Sequence, residues 1–167
     1  MTLAIGVREP MQKYPQWDEA EALAILAPLT ALEGATLPML HALQARFGYV
    51  PEPAVALVAD ALNLSRAEVY GCLTFYHEFR RAPAGRHVLQ LCRAEACQAA
   101  GADALHADVL GGLGVGWHET TADGQVTAEP VFCLGLCACG PAGMLDGAPM
   151  ARLDGAAVRQ ALAEAAA

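Results

Sequence analysis

Six cysteines are the residues of this 167-residue chain whose type and spacing could do chemistry. Three of them, Cys133, Cys137 and Cys139, fall within the short segment FCLGLCACG. Cys92 and Cys97 precede these in the segment CRAEAC. Thiolates are soft ligands that select iron or zinc, and disulfides are rare in intracellular proteins. The cysteines therefore indicate a metal site.

Two of the cysteine pairs have a spacing that predicts a four-thiolate centre. Four residues separate Cys92 from Cys97 and three separate Cys133 from Cys137, and each pair begins where a predicted strand ends. Two such loops can meet at one edge of a sheet, so that each pair supplies two ligands. Structural zinc sites also use closely paired cysteines. The spacing alone therefore leaves both an iron–sulfur cluster and a zinc ion open.

The other two cysteines have different predicted roles. Cys72 lies inside a predicted helix and is expected to be a small buried hydrophobic residue. Cys139 could replace Cys137 as a ligand or lie beside the site. The chain has no C-x-x-C redox motif, and no Ser/His/Asp or paired-carboxylate arrangement stands out. We therefore predict no catalytic residue.

Composition excludes several classes of partner. The formal net charge is −8, and there is no basic stripe of the kind that binds nucleic acid. Hydrophobic residues make up 55% of the chain, but no stretch approaches the roughly 18 uninterrupted apolar residues of a membrane span. The N-terminus lacks the apolar run flanked by basic residues that marks a secretory signal. The sequence therefore predicts a cytoplasmic protein without membrane insertion.

The first half of the chain predicts four helices. Asp18 and Thr36 are the predicted N-caps of the first two, Pro28 is expected to break or kink the first, and Ser65 with Glu68 forms a capping box for the fourth. The helical segments are WDEAEALAILAPLTALEG, TLPMLHALQARFG, YVPEPAVALVADALN and LSRAEVYGCLTFYHEF. Short helices joined by tight turns predict a small bundle.

The second half predicts a small α/β domain. A strand, HVLQLC, precedes a single helix, QAAGADALHADVLGGLG. Two hairpins with Asp-Gly turns lie on either side of the second cysteine segment: the strands VGWHETT and QVTAEPVF form the first, and GMLDGAPMARLD forms the second. DGAAVRQALAEAAA is a closing helix. The predicted domain organisation is a tail over 1–16, a helical bundle over 17–80, a linker over 81–86 and the α/β domain over 87–167.

Two motif blocks carry a resemblance to a known family. CRAEACQAAG, followed by CLGLCACGPAGMLDG, resembles the thioredoxin-like [2Fe–2S] ferredoxin family, whose members include the small iron–sulfur subunit of the NADH-oxidising module of respiratory complex I. The segment LHALQARFGYVPEPAVALVADALNLSRAEVYGCLTFYHEF is similar to the N-terminal region of the same family. The resemblance implies a thioredoxin-like [2Fe–2S] domain preceded by a small N-terminal helical bundle.

The resemblance also implies the site. By position, the family's four cluster ligands correspond to Cys92, Cys97, Cys133 and Cys137, which would hold one [2Fe–2S] cluster. The family's second motif commonly runs C-x-x-x-C-x-x-A-P, whereas Cys139 and Gly140 precede the proline here. This departure preserves the ligand spacing and makes Cys139 a variable neighbour.

The family implies an electron-transfer subunit that lies beside a partner subunit holding FMN and NAD(H). CRAEACQ and TFYHEFR resemble most the gamma subunit of soluble NAD-dependent formate dehydrogenases. The alternatives are the equivalent subunit of complex I or of a bidirectional NAD-reducing hydrogenase. Two further alternatives are a zinc-stabilised assembly adaptor without redox activity and a free-standing ferredoxin.

Overall fold

A computed structural model describes residues 14–166. Most of the predicted N-terminal tail, residues 1–13, and residue 167 lie outside the described residues. The described chain forms two compact units, and the boundary between them falls between Ala84 and Gly85. No helix within residues 14–166 is long and apolar enough to cross a membrane.

The first unit is a bundle of four helices. They are α1 (Glu19–Leu26), α2 (Thr36–Phe47), α3 (Glu52–Leu62) and α4 (Arg66–Phe75). Their apolar faces meet in one core, whose largest fully buried side chains include Phe47, Leu26, Met39, Leu40, Leu43 and Val58.

Local sequence signals set most of the helix ends in this bundle. The Asp18 carboxylate accepts a hydrogen bond from the backbone N–H of Glu21 at 2.7 Å, as predicted for an N-cap. A 3-10 turn at Ala27–Leu29 follows α1, because the proline within it has no N–H to continue the α-helical pattern. The predicted cap at Thr36 is wrong, since Thr36 is already helical and Ala35 precedes it without a side-chain bond.

The second unit contains a five-stranded sheet. Its strands are β1 (His87–Cys92), β2 (Glu119–Thr120), β3 (Val126–Val131), β4 (Gly143–Leu145) and β5 (Ala148–Met150). The spatial order is β2-β3-β1-β4-β5, with β1 parallel to β3 and all other neighbours antiparallel. Helices α5 (Glu95–Ala99), α6 (Ala102–Leu113) and α7 (Gly155–Ala165) complete the unit.

The structure confirms the predicted fold class, in which a helical part precedes a part with both helices and a sheet. The second unit differs from the prediction in two elements. The single helix predicted after the first strand is divided into α5 and α6 at Gly101, which has a positive φ of 93° that ends a helix. The predicted strand VGWHETT is reduced to Glu119–Thr120, because His118 has a φ of 64° and breaks the extended backbone.

The parallel pairing of β1 and β3 positions the cysteine segments. Cys92 is the register partner of Val131, so the two strands end side by side. The chain continues from Cys92 into the first cysteine loop and from Val131 into the second. Both loops therefore begin at the same edge of the sheet.

Candidate metal centre

Backbone hydrogen bonds fasten the two loops where they leave the sheet. The N–H of Arg93 donates to the carbonyl of Val131 at 2.8 Å, and the N–H of Cys92 donates to the carbonyl of Ala142 at 2.9 Å. The chain is thus hydrogen-bonded on both sides where β1 ends. This bonding fixes the position of Cys92 relative to the loop that carries the second pair.

The first pair of cysteines is buried. Cys92 ends β1 and is 1% exposed, and Cys97 lies in α5 and is 2% exposed. Both belong to a small apolar cluster with Ala102 and Ala142. Neighbouring apolar side chains therefore shield this pair of thiols from water.

The second pair lies at the surface. Cys133 and Cys137 are both exposed, and their Sγ atoms are 3.6 Å apart. The loop brings them together through two left-handed residues, Cys133 with a φ of 72° and Gly135 with a φ of 77°. Phe132, which precedes this pair, is 70% exposed. The second pair is therefore accessible from solvent whereas the first is not.

The thiols of the two pairs influence one another's pKa values. Burial acts to raise the pKa of Cys92, but the backbone N–H groups of Ala94 and Cys133 and the Cys97 thiol outweigh it, so that the pKa of Cys92 is lowered. Burial raises the pKa of Cys97, and the Cys92 thiol raises it further. Cys92 is thus the thiol of the first pair that loses its proton more readily.

The pKa of Cys137 is also affected by the neighbouring thiols. Its pKa is raised first by the side chain of Cys133 and also by the charge of Cys92. The four thiols therefore lie close enough to resist being ionised together. A positively charged metal group would remove this repulsion and allow all four to bind as thiolates.

The donor set fits a two-iron cluster. Two sulfurs bound to one tetrahedral metal at about 2.3 Å are about 3.8 Å apart, close to the 3.6 Å between Cys133 and Cys137. The thiols are arranged as one buried pair and one exposed pair, and a [2Fe–2S] cluster takes four cysteine thiolates. Among residues 14–166, no three His, Cys, Asp or Glu side chains converge on a single metal-ion position, so the four thiols form two pairs rather than one closed four-ligand group.

The two remaining cysteines lie in different surroundings. Cys139 is partly buried, and its backbone is bonded on both sides, with its N–H donating to Leu136 at 2.9 Å and its carbonyl accepting from the N–H of Arg152 at 2.8 Å. Cys72 packs, partly buried, against the core of the helical bundle, which is the packing role predicted for it. A Cβ at Gly140 would lie 3.5 Å from the sulfur of Cys97.

A stack of three side chains beside Cys92 was not predicted from the sequence. The guanidinium of Arg93 lies 5.2 Å from the ring centroid of Trp117, and the Trp117 ring meets the buried His106 edge to face at 5.2 Å. Burial lowers the pKa of His106. The one feature of the sequence that points to this stack is that Arg93 directly follows the predicted ligand Cys92.

The chain matches a known family over most of its length. The thioredoxin-like [2Fe–2S] ferredoxin family matches residues 22–166. The chain belongs to this family. Its cofactor is the [2Fe–2S] cluster for which the family is described, and the four-thiol arrangement fits that cofactor. The resemblance inferred from the two motif blocks is thereby confirmed.

Relatives of this ferredoxin-family chain include subunits of respiratory enzymes. An NADH-quinone oxidoreductase subunit of Pseudomonas aeruginosa is 36% identical over 112 residues, which are 67% of this chain and 68% of the relative. The corresponding NADH-quinone oxidoreductase subunit of Escherichia coli is 34% identical over 128 residues, 77% of each chain.

Solved structures with the same fold come from a larger enzyme. The crystal structure of an NAD+-reducing [NiFe]-hydrogenase in the H2-reduced state matches with a TM-score of 0.64 and 28% identity, over 77% of this chain. The air-oxidised state of such a hydrogenase matches with a TM-score of 0.65. The ferredoxin-family chain spans only 22% of the length of these hydrogenase chains.

Proposed function

We propose that this chain is an electron-transfer subunit whose single [2Fe–2S] cluster is held by Cys92, Cys97, Cys133 and Cys137, in the domain over 87–167. The observation that carries the proposal is the arrangement of these thiols. Two pairs follow the ends of two parallel strands, and the sulfurs of the exposed pair are 3.6 Å apart. The family membership of the chain supports the same cofactor.

When bound, the cluster supplies one-electron storage, because one iron alternates between ferric and ferrous. The chain's own residues hold it and set its surroundings. Backbone hydrogen bonding from Ala94 and Cys133 lowers the pKa of Cys92, and that from Ala142 acts to lower the pKa of Cys97. Such hydrogen bonds to ligand sulfur and the apolar burial of one pair tune the potential of a cluster.

The exposed thiols Cys133 and Cys137 mark the side of the proposed cluster on which electrons can be exchanged. Electron transfer between subunits requires the cluster to approach the surface on at least one side. The side of Cys92 and Cys97 is closed by apolar residues, whereas Cys133 and Cys137 are exposed. We propose that the electron enters and leaves at the exposed pair.

The proposed partner is a subunit that binds FMN and NAD(H). The chain has no G-x-G-x-x-G motif after a strand, which is the usual signal for binding such nucleotides. The NADH-quinone oxidoreductase subunits among the relatives and the NAD+-reducing hydrogenases support a partner that handles NAD(H). A cytoplasmic location is part of this proposal.

For the parent complex we propose a soluble NAD-dependent formate dehydrogenase. The segments CRAEACQ and TFYHEFR support this assignment by their resemblance to its gamma subunit. The second candidate is the equivalent subunit of complex I or of an NAD-reducing hydrogenase, which the curated relatives and the solved structures favour.

The cluster is tested on the full chain purified without oxygen. We expect about two irons and two sulfides per chain, absorption in the visible range, and an EPR signal that appears on reduction. A colourless, EPR-silent protein that contains zinc would overturn the proposal and favour the assembly adaptor.

The parent complex is tested by purifying the tagged chain with its partners from its native cells. Formate-dependent reduction of NAD+ together with a molybdopterin cofactor would support the formate dehydrogenase. Nickel with hydrogen-dependent NAD+ reduction would assign the hydrogenase, and membrane-embedded subunits would assign complex I. A chain isolated without a flavoprotein would overturn the subunit role and favour a free ferredoxin.

A further inference from the structure

One arginine directly follows a proposed cluster ligand in the chain and forms no ion pair among the described residues. Arg93 follows Cys92, and its backbone N–H is bonded to Val131 at the sheet edge. Among the ion pairs of residues 14–166, none involves Arg93. No described carboxylate therefore lies within ion-pair distance of its guanidinium.

The position of this charge is fixed by aromatic packing. The guanidinium of Arg93 lies over the face of Trp117, 5.2 Å from the ring centroid, which is a cation–π distance. Trp117 packs against the apolar core of the same unit. An arginine in solution explores many rotamers, so this contact restricts where the charge of Arg93 lies.

The ring of Trp117 is itself held by a buried side chain. His106, on α6, is 6% exposed and meets Trp117 edge to face, with an interplanar angle of 81°. The Nε2 atom of His106 is buried and has no hydrogen-bond partner among the described residues. The other ring nitrogen, Nδ1, lies 3.9 Å from the Asp103 carboxylate.

We propose that Arg93 is the fixed positive charge that raises the reduction potential of the cluster, and that Trp117 and His106 are the residues that position it. Reduction adds one negative charge to a centre already bound by four thiolates. A nearby cation stabilises the reduced state more than the oxidised one. The net charge of the whole chain, −8, acts in the opposite direction. The inference rests on the proposed cluster and ligand set.

The arginine at the other end of β1 supplies a matched control. Arg86 precedes β1 and is exposed, whereas Arg93 follows β1. Seven residues of extended chain place the two arginines about 23 Å apart, which exceeds the Debye length of about 8 Å at physiological salt. Arg86→Gln thus removes an equal charge from the far end of the strand.

The experiment is a redox titration of the full-length chain with its cluster, for the original sequence and for Arg93→Gln, Arg93→Lys and Arg86→Gln. Iron content is measured first in each protein. At a fixed ambient potential we expect Arg93→Gln to lower the reduced-to-oxidised ratio about three- to tenfold, a shift of about 30 to 60 mV for a one-electron couple. Arg93→Lys should keep most of the original potential and Arg86→Gln all of it.

Salt and a second variant separate a charge effect from a structural one. The difference between the original chain and Arg93→Gln should shrink as salt rises, and Trp117→Leu should give a smaller shift in the same direction. Equal potentials in iron-replete proteins, or equal shifts for Arg93→Gln and Arg93→Lys, would overturn this inference and leave the proposed function standing. An original chain without iron would overturn both.

Discussion

The sulfurs of Cys133 and Cys137 lie 3.6 Å apart on an exposed loop. Two thiolates at this distance repel each other, and the pKa of Cys137 is raised by the Cys133 side chain beside it. The loop nevertheless holds them together with two left-handed residues, Cys133 and Gly135. The backbone thus maintains a spacing that only a bound cation makes favourable for two thiolates.

Serine substitutions distinguish ligands from neighbouring cysteines. Cys137→Ser should lose the cluster or alter it strongly, because a hydroxyl is a poorer ligand for iron than a thiolate. Cys139→Ser should keep its iron and change at most its potential. Iron and sulfide content and the visible spectrum measure both results.

Cys72→Ser is the control for these variants, because Cys72 packs in the helical bundle. It should retain the full cluster. If Cys139→Ser alone abolished the cluster, the ligand assignment in the second loop would be wrong by two residues.

The position of Gly143, on β4, has no room for a side chain. A Cβ at Gly143 would lie 2.8 Å from the backbone carbonyl of Gln90 and 2.9 Å from the Leu153 side chain. Gly143→Ala should therefore destabilise the chain by about 1 to 3 kcal/mol through overpacking. Thermal unfolding followed by circular dichroism measures the change.

Gly111, in α6, is the matched control. Nothing lies within 4 Å of a Cβ built there, and alanine has the higher helix propensity. Gly111→Ala should be about 0.5 to 1 kcal/mol more stable than the original chain. A Gly143→Ala variant as stable as Gly111→Ala would contradict the packing of β4 against β1.

The capping box of α4 should make the bundle sensitive to acid. The backbone N–H and then the hydroxyl of Ser65 lower the pKa of Glu68. The stability from this contact is complete at pH values above the ordinary glutamate range and is lost as pH falls through the lowered pKa. In Glu68→Gln this part of the acid dependence should disappear.

Ser65→Ala tests the same cap at neutral pH, where the loss should be about 1 kcal/mol. Urea unfolding at neutral and acidic pH, followed by far-UV circular dichroism, measures both variants. An unchanged acid dependence in Glu68→Gln would show that the folded chain does not favour the ionised form of Glu68.

Removal of the cluster should weaken the second unit. A group that binds only the folded state stabilises it, and the thiols that hold the proposed cluster follow β1 and β3. We expect faster amide hydrogen exchange in β1 and β3 after removal, and little change in α2 and α3. Reconstitution with iron and sulfide should restore protection, whereas equal losses in all four elements would contradict the prediction.

The sequence determined the parts of this protein that depend on near neighbours. The Asp18 and Ser65 caps, the break at Pro28 and the strand that ends at Cys92 all follow from residues within one turn or one strand. The family motifs added the cofactor, because the spacing of each cysteine pair is also a local property. Thr36 was predicted wrongly as a cap because the same residue types are acceptable inside a helix.

Tertiary structure decided what depends on residues far apart in the chain. The parallel register of Cys92 with Val131 brings the two cysteine loops to one edge, and no local pattern specifies such a pairing. Burial of Cys97 beside exposure of Cys137, and the packing of Trp117 between Arg93 and His106, likewise arise only when separate elements meet. Spacing along the chain predicts which thiols can act together, whereas packing decides which of them are shielded and which charge lies beside them.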